Sequence, residues 1–157
     1  MIQNLCLATP ADADGVTALV NQAYSHYVVR IGRKPKPMTV DYRSAIAEHQ
    51  LWVLGQVDNL TAVLELIAQQ DALLIENIAV SPSHQGRGLG SSLMAFAEKQ
   101  ALEQGFREIE LYTNEHFVEN LVFYAKHGYV ETHRAPFKGS NTVYLKKRLS
   151  DIETLGK

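Results

Sequence analysis

One cysteine in 157 residues leaves no partner for an intramolecular disulfide, so packing has to hold this fold together. No apolar run approaches the roughly eighteen residues of a membrane span, and no leader-like segment opens the chain. With the lone thiol, these absences point to the cytoplasm. Fifteen basic side chains stand against seventeen acidic ones, a net charge of −2. That balance lacks the basic excess that binds nucleic acid or an anionic membrane, and neither is expected as a partner. Internal repeats and low-complexity segments are missing too. What is present is ordinary for a globular protein, 46% hydrophobic and 20% charged residues. The length suits a single domain, expected over 1–150, with 151–157 as a loose tail. Cys6 sits in an apolar stretch and reads as a small buried side chain.

The informative stretch runs from Ile75 to Gln104. An apolar run ends at Val80, and Pro82 closes it by removing a backbone donor. Three glycines in five positions follow, Gly86, Gly88 and Gly90. Leu89, Leu93, Phe96, Ala97 and Ala101 then recur at helical spacing. Strand, glycine turn and helix together leave unpaired amides at the positive end of a helix dipole. Glycine removes the Cβ that would keep a bulky anion away, so the site suits a phosphate or diphosphate. A dinucleotide fingerprint fails in both registers, because Ser91 or Leu93 stands where the third glycine belongs. A P-loop fails as well, since no Gly-Lys pair precedes Ser91 or Ser92.

What remains, Gln85-x-x-Gly88-x-Gly90 after Asn77-Ile78-Ala79-Val80, resembles the coenzyme A site of the GNAT superfamily of N-acetyltransferases. Phe123-Tyr124-x-x-x-Gly128-Tyr129, about forty residues downstream, is similar to a second segment of that family. The resemblance covers roughly 50–147 well and the first fifty residues only by position. It implies an α/β (α+β) domain: a mixed, mostly antiparallel sheet of about six or seven strands, flanked by about four helices and splayed at the coenzyme site. It implies acetyl-CoA as acyl donor, no metal, and direct transfer to a primary amine on a small molecule or peptide. Homodimers are common in the family. Gln85, Gly86, Arg87, Gly88, Leu89, Gly90 and Ser91 would then hold the diphosphate. Ile78, Ala79 and Val80 would run beside the pantetheine arm, near a bulge that no sequence displays.

Along the chain, a short strand is expected within 2–8, then a helix from Pro10 to Tyr24 with Val16, Leu19, Val20 and Ala23 inward. Residues 24–38 read as irregular, and a helix from Val40 to His49 as capped by Thr39. Strands 51–56 and 61–68 form a hairpin through a turn at 57–60, and 72–80 is the next strand. The helix after the glycines ends at Gly105. Strand 109–113, a helix from Glu115 to His127 ended by Gly128, and strands 129–133 and 142–147 complete a mixed sheet with helices on its faces.

Acyl transfer needs a deprotonated amine, a stabilised carbonyl oxygen and a proton for the leaving thiolate. By the resemblance Tyr124 is the candidate general acid. The plainer alternative is an amphipathic core residue with its hydroxyl at the surface. Asn120 lies one helical turn away on the same face and can reach the coenzyme. Many relatives carry an asparagine seven residues before the tyrosine, where this chain has Phe117. Asn114 therefore competes with Asn120 for that contact, and reads as readily as a helix N-cap. Glu76 interrupts an apolar run, Leu73-Leu74-Ile75 before it and Ile78-Ala79-Val80 after it, which marks either a general base raised by burial or a carboxylate that faces an open cleft or pairs with a lysine. Tyr112, His116, His127 and Glu65 are weaker rivals for the base, and His127 suits a helix C-terminus. Arg30 to Lys36, basic without one acid, would attract an anionic acceptor or the coenzyme phosphates, or form a solvated loop. Two other classes stay open: an acyl-CoA-binding sensor without turnover, and an interaction protein whose glycine turn is structural.

Overall fold

The computed structural model describes residues 2–150, so the tail expected over 151–157 lies outside the described residues. Seven strands form one sheet, β1 (Cys6–Leu7), β2 (Gln50–Gln56), β3 (Asn59–Ala68), β4 (Leu73–Val80), β5 (Glu108–Asn114), β6 (Val130–Phe137) and β7 (Ser140–Arg148). Four helices cover it, α1 (Ala13–Ile31), α2 (Tyr42–Glu48), α3 (Leu89–Glu103) and α4 (Val118–Lys126). The strand order is β1-β2-β3-β4-β5-β7-β6. The β4–β5 pair is parallel and its neighbours are antiparallel. This is the mixed, mostly antiparallel sheet expected, with the expected number of helices. Among the described residues, no helix is long and apolar enough to cross a membrane.

Alternation splits the apolar side chains between two cores. On β3, Ala62, Leu64 and Leu66 pack toward α3 with Leu93, Met94, Ala97 and Ala101. Val63, one position out of phase, packs toward α1 and α2 with Val16, Leu19, Val20 and Ala45. Side chains such as Leu93 and Met94, 0% and 1% exposed, each contribute about 1.5–3 kcal/mol by burial. All four residues expected to face inward on the first helix are buried.

One irregularity interrupts the pairing of β3 with β4. Glu65 pairs with Asn77 and Leu66 with Ile75, so Glu76 is an extra residue on β4. Because side chains alternate, one extra residue exchanges the two faces. Leu73 and Ile75 belong to the α3 core before the bulge, whereas Ile78 and Val80 pack against it afterwards and Ala79 turns to the α1 side.

Several expectations are corrected. The first strand shrinks to Cys6–Leu7, because Asn4 at φ 66° breaks the extended chain before it. Cys6 is exposed rather than buried, on a two-residue strand at the sheet edge. α1 runs on past Tyr24 to Ile31 and ends at Gly32, φ 73°. Contacts to α4 hold these added turns: Tyr27 stacks on Phe117 at 3.8 Å, and Arg30 pairs with Glu119 at 2.6 Å. α2 is capped by Asp41, whose side chain accepts from the Arg43 N–H, while Thr39 lies in a preceding 3-10 turn. α4 starts at Val118, three residues later than expected. The last hairpin is longer than expected and turns at Lys138-Gly139, both at positive φ, the geometry that tight hairpins favour. The helix ends at Gly105 and Gly128 stand as expected.

Gly15 gives a stability test. Alanine in place of a helical glycine ordinarily stabilises by about 1 kcal/mol. Here a Cβ would lie 2.6 Å from the Val57 carbonyl oxygen, where α1 rests on the β2–β3 turn. Gly15→Ala should therefore lower the melting temperature by several degrees, from roughly 1–3 kcal/mol of overpacking. A rise on thermal denaturation would refute that contact.

Candidate active site

The bulge opens the sheet. β4 pairs with β5 only from Leu73 to Ile75, against Ile109 to Leu111, while β5 continues along β7 to Asn114. From Glu76 onward β4 has β3 on one side and a gap on the other. The Ser81 N–H donates to the Thr61 carbonyl, which fixes the antiparallel alternation. Ala79 and Asn77 then bond across to β3, and the backbone groups of Ile78 and Val80 point into the gap. Their carbonyls are occupied: Ile78 accepts from the Tyr24 hydroxyl at 3.2 Å and Val80 from Gln85 Nε2 at 3.0 Å.

Beyond β4 lies a groove of about 580 Å³. One wall is Ile78, Ala79 and Val80, the floor is Gln85, Gly86 and Gly88, and the first turn of α3 follows with Leu89, Gly90 and Ser91. Asn120 and Tyr124 face them from α4. Gly86 and Gly88 stand at φ 79° and 81°, and a Cβ on either would meet no protein atom within 4 Å. Gly90 differs, since its Cβ would touch the Phe123 ring at 3.2 Å. Gly88 caps α3 without a side-chain hydrogen bond, so the amides of Leu89, Gly90 and Ser91 have no acceptor within the helix. That is an anion cradle. Arg87 is exposed and is not part of the groove lining.

A second cavity of about 600 Å³ occupies the gap between β4 and β5. Glu76 projects into it, with its Oε2 3.1 Å from the Lys36 ammonium and its Oε1 accepting from the Tyr112 hydroxyl at 2.6 Å. Of the two readings of Glu76, the lysine pairing is therefore present, and the carboxylate also lines the cavity. Burial and the Glu76 bond push the Tyr112 phenol up to about 12. Glu65, 2% exposed, is the more deeply buried carboxylate, and His49 Nδ1 lies 2.7 Å from it. Burial raises its pKa, against the lowering effect of His49. Tyr24 donates to Asn77 Oδ1 at 2.8 Å, Asn77 donates to the Tyr42 hydroxyl at 3.2 Å, and Tyr42 donates to the Pro37 carbonyl at 2.6 Å. Asn114 lines this cavity and not the groove, with its Nδ2 on Ser140 and its Oδ1 on the His116 N–H. It ends β5, and Phe117 caps α4 in its place.

Of the basic run, Arg30 turns away to Glu119, while Lys36, on Glu76, and Arg33, with its guanidinium 5.2 Å from the Phe137 ring, both line the cavity. Four residues line both spaces: Tyr24, Ile78, Asn120 and Tyr124. Tyr124 is 7% exposed, and among the described residues its hydroxyl has no hydrogen-bond partner. Burial raises its pKa, so the phenol holds its proton.

Tyr24, Asn77, Tyr42 and His49 join the site although the sequence does not single them out. The bulge leaves no mark in the sequence, because Leu74 and Ala79 are apolar as well and the run from Leu73 to Val80 shows no step in its alternation. Tyr24 does lie on a helical stripe with Tyr27, Val28 and Ile31, but spacing alone does not show that its hydroxyl meets Asn77 and Ile78.

The fold is an open α/β sheet that splays beside a helix N-terminus built to receive an anion. An acetyltransferase (GNAT) domain model matches residues 47–131, more than half of the chain, and the chain belongs to that family. No curated protein matches it. Among solved structures it is similar to the PaiA N-acetyltransferase of Thermoplasma acidophilum in complex with coenzyme A. Identity there is 14%, over 95% of this chain and 100% of that one, with a TM-score of 0.75. The ribosomal-protein-S18-alanine N-acetyltransferase of Escherichia coli gives 16%, 94% of each chain and 0.74. A GNAT family acetyltransferase from Elizabethkingia anophelis with acetyl-CoA bound gives 17%, 69% and 81%, and 0.59.

The Glu65 geometry sets a pH dependence. A carboxyl raised in the folded state contributes stability that is fully present below its unfolded value of 4.5 and is lost as pH rises through its folded value. Urea midpoints of wild type and Glu65→Gln should therefore shift in favour of the variant as pH rises above 4.5. A difference constant with pH would refute the raised carboxyl.

Proposed function

We propose that this acetyltransferase moves an acetyl group from acetyl-CoA to a primary amine, on a small molecule or a peptide, by direct attack within a ternary complex. One observation carries the proposal: an anion cradle and a carboxylate-lined cavity, 580 and 600 Å³, meet at the four residues they share. The cradle suits the diphosphate of the donor, held by the amides between Gln85 and Ser91 with Arg87 at its outer edge. Ile78 and Val80 offer their free N–H groups to the pantetheine arm, alongside Ala79. Asn120 is preferred to Asn114 as the coenzyme contact, because it lines the groove.

The amine enters through the second cavity. Glu76 takes its proton, and the nitrogen lone pair attacks the thioester carbonyl. A backbone N–H in the gap stabilises the oxygen as it gains charge. As the C–N bond forms and the C–S bond breaks, Tyr124 donates its proton to the departing thiolate. Its buried phenol, without a partner among the described residues, suits that task.

Release of free thiol from acetyl-CoA across an amine panel, confirmed by product mass, tests the proposal; coenzyme binding without thiol release would favour a sensor. Tyr124→Phe should lower kcat by about a hundredfold or more while the thermal shift with coenzyme A persists. Unchanged turnover would remove Tyr124 from the chemistry. Glu76→Gln should lower kcat/KM for the amine by a similar factor, about a hundredfold. If Glu76→Gln keeps its rate and Glu65→Gln loses it, the proton goes to Glu65.

A further inference from the structure

His127 follows the last turn of α4 and reaches across to the first turn of α3. Its Nδ1 lies 2.8 Å from the Phe123 carbonyl and its Nε2 3.0 Å from Ser91 Oγ. A carbonyl oxygen only accepts, so Nδ1 carries a proton. In the neutral ring Nε2 is then bare and accepts, which commits the Ser91 hydroxyl proton to the imidazole. Ser91 can show a ligand in the groove only lone pairs, which repel a phosphate. With Nε2 protonated the bond reverses: the imidazolium donates to Ser91 Oγ and frees the hydroxyl proton for the anion. The same proton adds a positive charge beside the cradle.

We propose that His127 and Ser91 form a proton-coupled latch on the diphosphate site, so that the acyl donor binds with uptake of a proton at His127 and its affinity falls as pH rises. The latch rests on the reading of the groove as the donor site. Ser91 is the binding residue and His127 positions its hydroxyl. Other ionisable groups face the same space. Lys126 and Glu119 come from α4, with Glu119 paired to Arg30 of α1. His26 of α1 and His84, bonded to Ser83, line the groove. Behind Gly128 stands Lys147 of β7, held 3.1 Å from Glu98 of α3. None of these bridges a ring nitrogen to a cradle hydroxyl, and all of them persist in a variant changed only at His127.

Calorimetric titration of coenzyme A into the full chain, in buffers of different ionisation enthalpy, separates the alternatives. Compared with His127→Gln, whose amide donates to Ser91 without titrating, wild type should take up about half a proton more near neutral pH. Its affinity should fall about tenfold further between pH 6 and pH 8 than the variant's. Ser91→Ala should lose about tenfold in affinity at pH 6 and little at pH 8, where the hydroxyl is already committed to the ring. Equal proton uptake and parallel pH profiles for wild type and His127→Gln would overturn the latch while leaving the donor site intact. Absence of any binding heat from the folded wild-type protein would bring down the donor site itself, and the latch with it.

Discussion

A single extra residue in a strand organises this molecule. Glu76 has no partner on β3, and the twist it introduces ends the pairing of β4 with β5 at Ile75. Four consequences share that origin. The faces of β4 exchange, so Ile78 and Val80 keep an apolar side chain in the α3 core. Their backbone groups turn toward open space instead of a neighbouring strand. The gap between β4 and β5 becomes a cavity, and the residue that made the gap projects a carboxylate into it. An unbulged β4 would have continued the ladder along β5 and filled the site with backbone hydrogen bonds.

The wall opposite the bulge comes from the far end of α1. Tyr24 bonds the Ile78 carbonyl and Asn77, Tyr27 stacks on Phe117, and Arg30 takes Glu119 with both terminal guanidinium nitrogens. The ion pair is exposed and adds little by itself. The buried phenol and the ring stack fix α1 against α4, with the groove running beneath them. The far end of α1 and the start of α4 are thus tied to each other by side chains, while the first half of α1 rests on the sheet through Val16, Leu19 and Val20. Asn120, which accepts from the Tyr27 hydroxyl at 3.4 Å, is oriented by the same contact.

What could be read beforehand divides along local and long-range lines. The glycine turn, the strand before it and the helix after it were legible because their signals are local: Pro82, three glycines, and apolar side chains at helical spacing. The inward face of α1 was legible for the same reason. Its last two turns read as irregular, although Tyr24, Tyr27, Val28 and Ile31 continue the stripe, because the prolines, glycine and basic residues that follow up to Met38 outweigh it. Cys6 misled because an apolar neighbourhood in sequence does not bury a residue on a two-residue edge strand. Lys36 and Glu76 stand forty residues apart, and no periodicity links them. Asn114 resembled a helix cap until Phe117 took that position and left it facing the wrong space for the groove.

Charge is distributed unequally around the site. On one side are main-chain amides and Lys126, with Glu119 held by Arg30. On the other, Glu65 and Glu76 face a cavity suited to an ammonium, with Lys36 already occupying part of that field. Tyr24, Ile78, Asn120 and Tyr124, where the two meet, carry no formal charge while burial keeps both phenols protonated. An ionised group at this junction would favour one partner electrostatically and hold it away from the other. In the proposed transfer, neutral dipoles fixed in advance by α1 and α4 would answer charge that exists only while bonds are changing, which is where stabilisation accelerates a reaction instead of tightening its ground state. By the same reasoning the proton switch proposed at His127 stands where it should, one helical turn from Tyr124 and beside Ser91, where a charge would alter how firmly the donor is held without entering the space proposed for the acyl group.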